Sequence, residues 1–253
     1  WLLGMAKLTS GDVPGAVAPL ERALAPDPRN GMVLDGLGLA YLMLGRHADA
    51  ANVLKRAVDL PQAPAIVHMR LGLALLHSDD AGGAVNALRS AVQLAPTDPD
   101  MHLNLGQALH RAGSAAAARA AFDTALRLAP AHADAQFNIG VLDLEDGQLT
   151  AAARAFERSI QFAPHHAEAW VNLGVVRERE GQYEAALDCH RKAVAAGERT
   201  GAAHPSREGN TDSVEVTVQI QLLRGRLGIS PQDESDPWRS LVCGSQGSGT
   251  HHV

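Results

Sequence analysis

The sequence is poor in aromatic residues. Four phenylalanines, three tryptophans and two tyrosines make 4% of the chain. So few rings cannot build the stacking platforms on which single-stranded nucleic acids lie. An excess of positive charge is missing too. Lys and Arg number 22 against 28 Asp and Glu, for a formal net charge of −6. No broad positive field exists to draw a phosphate backbone, so nucleic acid is not an expected partner. No apolar run approaches the roughly 18 residues of a membrane-spanning helix, and nothing reads as a signal peptide. Two cysteines, Cys189 and Cys243, allow one bridge or two free thiols and no disulfide framework. Cysteine usage and the lack of spans point to a cytoplasmic location. The chain opens on Trp1, inside what reads as a helix, and is expected to be a piece of a longer product.

Chemistry-bearing motifs are also lacking. Twelve histidines raise the question of a metal site. The adjacent pairs His165-His166 and His251-His252 have no Cys, His, Asp or Glu partner at ligand spacing. Cys189 and His190 are neighbours on a helical pattern, so their side chains diverge by about 100°. They do not form a nucleophile–base pair; Cys189 reads as a small packed residue beside a substituted core position. Gly82-Gly83 and the stretch Gly244–Gly249 lack the Lys-Ser/Thr context of a phosphate loop. There is no nucleophile elbow and no pair of carboxylates placed for acid–base work. The expectation is a protein without catalytic residues, cofactor or metal.

What the sequence does contain is a period. Leu-Gly recurs at 37–38, 71–72, 105–106 and 173–174, with Ile139-Gly140 in phase, at steps of 34 residues; Leu3-Gly4 lies one step upstream. Ala16, Ala50, Ala84, Ala118, Ala152 and Ala186 keep the same phase, as do Ala23, Ala57, Ala91, Ala125, Ser159 and Ala193. Pro96, Pro130 and Pro164 close three units, and Pro61 and Pro64 bracket the corresponding site before them. Each unit reads as two helices, with a turn near Gly45, Asp79, Gly113, Gly147 or Gly181 and a proline that ends the second helix. The recurring Leu is expected to fill the space between paired helices. The recurring Gly, which costs a helix roughly 0.5–1 kcal/mol relative to Ala, is expected to let a neighbouring helix backbone approach. Single units bury their apolar faces only against neighbours, so exposed ends need covers.

This pattern resembles the tetratricopeptide repeat. The residues that carry the resemblance are Trp170, Leu173 and Gly174 on a first helix, Ala186 and Ala193 on a second, and Pro164 one unit back. It covers residues 1–196, about six units with the first truncated. The resemblance implies an all-α, right-handed superhelical solenoid of helical hairpins, with a concave groove lined mainly by first helices. His190 departs from the pattern, since Phe122 and Phe156 fill its place in the two preceding units; Asp143 and Arg177 replace a usual aromatic and predict locally looser packing.

The same resemblance assigns positions 2, 5, 6, 9, 12 and 13 of each unit to the groove. Position 6 carries Gly36, Arg70, Asn104, Asn138 and Asn172. An asparagine amide both donates and accepts, so three in succession can pair with an extended peptide backbone. The series is similar to the inner-face asparagines in the repeats of O-GlcNAc transferase. Met32, Leu39, Leu42, Ile66, Met69, Leu73 and Leu76 form an apolar N-terminal strip, suited to a partner helix or hydrophobic peptide. Asp100, Gln107, His110, Arg111, Asp134, Glu145, Glu168, Glu178 and Arg179 form a polar, mostly acidic C-terminal wall, suited to basic residues. The peptide-binding candidates are therefore Asn104, Asn138, Asn172, Arg70, Arg111, Leu73, Met69 and Gln107. The family's two-carboxylate clamp for chaperone tails fits poorly, because Asp35 and Leu39 stand where a basic residue and Asn would begin it.

Residues 197–212 read as a linker. In 213–229, Val214, Val216, Val218, Ile220 and Leu222 alternate as in a strand, while Val214, Val218 and Leu222 also share one helix face. A lone strand has no partner in a helical array, so a capping helix near 212–226 is expected, followed by a flexible tail with docking by Trp238 and Leu241. The expected function is a non-catalytic scaffold that binds an extended peptide or a partner domain, with self-association through exposed end units as a further mode. The alternative is the substrate-recognition region of a larger enzyme such as a glycosyltransferase.

Overall fold

The computed structural model describes residues 1–201 and 219–227. Most of the expected linker, the onset of the capping helix at 212–218, and the tail with Trp238, Leu241, Cys243, Gly244–Gly249 and His251-His252 lie outside them. The described residues are helical, with no strand among them. In chain order the helices are α1 (Leu2–Thr9), α2 (Val13–Leu24), α3 (Gly31–Met43), α4 (His47–Val58), α5 (Ala65–His77), α6 (Ala81–Leu94), α7 (Pro99–Arg111), α8 (Ala115–Leu128), α9 (Ala133–Glu145), α10 (Leu149–Phe162), α11 (Ala167–Arg179) and α12 (Tyr183–Gly201). Residues 219–226 are also helical. The chain divides into two compact units, Trp1–Ala135 and Gln136–Val253.

Within the first unit, α1 pairs with α2, α3 with α4, α5 with α6 and α7 with α8, and each hairpin also packs on the next. The phased alanines explain how close the helices come. Ala16, Ala50, Ala84, Ala118, Ala152 and Ala186 are all fully buried, and Ala57, Ala91, Ala125, Ser159 and Ala193 are buried in their own phase. Turns between paired helices use left-handed backbone at Gly11, Gly45, Gly113, Gly147 and Gly181; Asp79 adopts it too, with φ 59°. Only glycine does so without steric cost. Side-chain caps from Asp12, Asn30, Asp80 and Asp98 accept from backbone N–H groups that helix starts leave without partners.

The recurring glycine has a different job from the one expected. A Cβ on Gly106 would stand 2.4 Å from the Phe122 ring, and one on Gly140 would stand 2.7 Å from Phe156. The glycine makes room for a side chain of the paired helix, not for its backbone. His190 fills the same place over Gly174 and is fully buried.

In the second unit a core of Ala152, Phe156, Ile160, Ala169, Leu173 and Val176 joins α10, α11 and α12, with Cys189 at its edge. Trp170 packs on this core, and its Nε1 donates to the Pro164 carbonyl at 3.1 Å. Arg177 tightens the place where looser packing was expected: it bonds Glu180 at 2.8 Å and Glu157 at 2.6 Å, tying α11 to α10. Tyr41 spans the same chain separation to Glu21 at 2.9 Å. No proline follows α12 before Pro205, and the helix runs to Gly201, beyond the expected boundary at 196. The 219–226 helix turns Ile220 and Leu223 onto Ala186 and Leu187, with Leu227 beside them. Its buried face is therefore not the one through Leu222, which is exposed.

Candidate functional site

The first helices of the first unit contact each other in series, α1 to α3, α3 to α5 and α5 to α7. They thereby present one continuous inner face. Met32 is 65% exposed on it, while Leu39, Leu42, Ile66, Met69, Leu73 and Leu76 are half-buried. These side chains pack at their bases and show their ends. Gly36, a buried glycine on this face, leaves room for Met5; a Cβ there would meet its Sδ at 2.9 Å.

The polar candidates are less free than the sequence suggested. Arg70 is paired with Asp35 on the preceding first helix, both of them largely shielded. Arg111 reaches Asp79 at 3.0 Å on open surface. Asn104 donates its amide to the Asp100 carbonyl at 2.8 Å, and Asn172 donates to that of Glu168 at 3.0 Å. Each bond engages one N–H within its own helix, which is common for short polar side chains in helices. The amide oxygen and second hydrogen remain outside that bond. Asn138 is half-buried and has a polar partner of its own. Gln107 is half-exposed. Asn104 belongs to the first unit, and Asn138 and Asn172 to the second.

Three carboxylates of the acidic wall have histidine neighbours. Asp100 meets His132 at 3.0 Å, Glu168 meets His166 at 3.3 Å, and Glu178 meets His190 at 2.8 Å. Three of its carboxylates thus face imidazoles that become cationic on protonation. Sequence reasoning missed these pairs. His132 and His166 hold the last position of consecutive units and Asp100 and Glu168 the second, but Asp100 meets the last residue of its own unit and Glu168 that of the unit before, so the period alone foretells neither pair.

Chemistry is weak at every other candidate. Cys189 is buried, and burial, then Asp188, push its thiol up to about 11. Reactive cysteines are depressed instead. No group of three or more His, Cys, Asp or Glu among the described residues is arranged to hold a metal ion. No helix among them is long and apolar enough to cross a membrane.

Comparison with known families decides the class. The tetratricopeptide repeat profile matches residues 2–65, 36–99, 69–133, 103–165 and 137–200, overlapping along the whole array. The chain belongs to the tetratricopeptide repeat family. Such repeats are typically non-catalytic and generally mediate protein–protein interaction. No curated protein matches the chain in sequence. Among solved tetratricopeptide structures, a chain of the APC/C hetero-tetramer Cut9–Hcn1 superimposes with a TM-score of 0.68 at 17% identity, over 87% of this chain and 41% of that one. PilW, a type IV pilus biogenesis factor, gives 0.67 at 19% identity, over 84% and 96%. YrrB, a protein with an unusual peptide-binding site, gives 0.52 at 18% identity, over 78% and 97%. At these identities the likeness is one of fold.

Proposed function

We propose that this tetratricopeptide repeat protein is a non-catalytic scaffold that holds an extended peptide, or an extended segment of a partner protein, along its first-helix faces. The observation that carries the reading is the apolar strip of the first unit, from Met32 to Leu76, which stays partly exposed among the described residues. A row of half-buried Leu, Ile and Met side chains binds apolar partners adaptably. Asn104 adds an amide oxygen and a hydrogen for a peptide backbone. Asn138 and Asn172 hold the same register position in the second unit, so each unit contributes its own backbone contacts.

The test is a peptide array probed with the full chain and with the Asn104→Ala/Asn138→Ala/Asn172→Ala variant. Circular dichroism confirms that both are folded. The expected result is a general loss of signal across peptides of different sequence, because backbone contacts are indifferent to side chains. An unchanged array pattern in the folded variant sinks the asparagine part of the reading. A pattern also unchanged in a Met69→Ser/Leu73→Ser variant sinks the apolar part.

A further inference from the structure

The second helices α2 and α4 stop early. α4 ends at Val58 and α5 begins at Ala65, whereas α6 runs to Leu94 and α7 starts at Pro99. Pro61 and Pro64 account for the break, since neither can donate a helical hydrogen bond. Between them Gln62 takes a left-handed backbone, φ 61°, which non-glycine residues rarely adopt. The missing helical turn leaves a cleft of about 550 Å³ bounded by Leu60, Pro64, Val67 and the exposed Met32. That volume lies within the usual span of ligand sites. Strained backbone beside such a cleft is a recurrent mark of function.

Two charged residues line the cleft, Arg29 and Asp35. The Asp35 carboxylate is engaged by Arg70. The Arg29 side chain is exposed and has no polar partner among the described residues. One cation is therefore left uncompensated beside an apolar wall. We propose that this cleft binds a peptide segment in which an acidic side chain stands next to a bulky apolar one. The guanidinium pairs with the carboxylate in its two-pronged geometry. The apolar neighbour lies on Leu60 and Val67, and Met32 adjusts to its shape. The site uses none of the asparagines and stands whether or not they bind a peptide backbone.

Fluorescence anisotropy with the full chain tests it. The probes are three labelled heptapeptides, Gly-Ser-Leu-Glu-Phe-Ser-Gly and its counterparts with Gln or Lys in place of Glu. The Arg29 side chain is exposed and makes no bond among the described residues, and the bond from its backbone N–H to Asp27 survives substitution, so its variants keep the fold. The Glu peptide is expected to bind saturably and about ten-fold more tightly than the Gln peptide. Arg29→Gln should erase that difference, and Arg29→Glu should transfer the preference to the Lys peptide. The triple asparagine variant should bind the Glu peptide as the natural chain does. Equal binding of the Glu and Gln peptides by the natural chain overturns the proposal, as does absence of saturable binding up to about 1 mM. Loss of the Glu peptide in the asparagine variant but not in Arg29→Gln also overturns it, and moves the peptide to the inner face.

Discussion

His190 occupies a place that Phe122 and Phe156 fill in the two units before it, and the substitution has a physical signature. Its Nε2 donates to the Glu178 carboxylate, while its Nδ1 is buried without a partner. An unsatisfied buried polar atom costs about 1–3 kcal/mol, close to the roughly 1.5–3 kcal/mol that a hydrogen bond to a carboxylate contributes. His190→Phe relieves Nδ1 but leaves the Glu178 carboxylate without its imidazole, so the two effects offset and the stability of the second unit is expected to change by less than about 1 kcal/mol, measured by urea denaturation. The sequence showed His190 as a departure, but its partner was read as a groove residue, because the direction of a glutamate side chain is set by neighbours and not by spacing. Asp79 is a second such residue. It holds the left-handed turn that glycine holds in five other places, and its ion pair with Arg111 is exposed. Relieving the backbone outweighs losing a surface pair worth a few tenths of a kcal/mol. Asp79→Gly should raise the melting temperature by about 1–3 °C in a calorimetric scan.

Titration is decided at the same scale. The His47 and His77 rings stack with centroids 4.6 Å apart. Burial, then His47 and Arg111, hold the His77 imidazole below its usual 6.5. A base depressed on folding binds fewer protons in the folded state than in the unfolded one. Its contribution is complete above pH 6.5 and is lost as the pH falls below that value. His77→Asn should thus lose less stability than the natural chain between pH 7.5 and pH 5, compared by chemical denaturation at each pH.

Elements repeat more faithfully than the residues at their ends. Helix type and pairing were readable because leucine, glycine and alanine recur in one phase, and the alanines from Ala16 to Ala186 are fully buried in every repeat. Helix ends were less readable. The early stop of α4 depends on where two prolines fall, and the extension of α12 depends on where the next proline is absent. The helix at 219–226 shows the limit best. Its residues alternate like a strand, and Leu222, on the helical face judged apolar, is exposed. Packing on Ala186 and Leu187 selects Ile220 and Leu223 instead. Leu223→Ala should cost about 2–4 kcal/mol, with faster amide exchange in α12 measured by mass spectrometry.

For the molecule as a whole, stability is a sum over neighbours and not one shared core. The Leu223→Ala substitution should accordingly lower amide protection in residues 136–201 more than in 1–135, a contrast that a single cooperative domain would not show. The same construction explains why fold was legible and partner was not. A period constrains the buried positions of every unit alike. Positions on the inner face are bound by no such constraint, and their pairings, Asp35 with Arg70 or Asp100 with His132, arise between residues more than 30 positions apart.

Each glycine of the 34-residue phase, from Gly4 with Leu20 to Gly174 with His190, admits a side chain from 16 residues later in the same hairpin. Because every such lock closes inside one unit, Gly106→Ala alone should cost about 1–3 kcal/mol against the Phe122 ring. Moving a complete hairpin carries lock and key together. A gene encoding this chain can therefore lengthen or shorten by whole units with each glycine still matched, while an insertion within a hairpin separates the two. Heritable change in reach is cheapest in steps of one repeat.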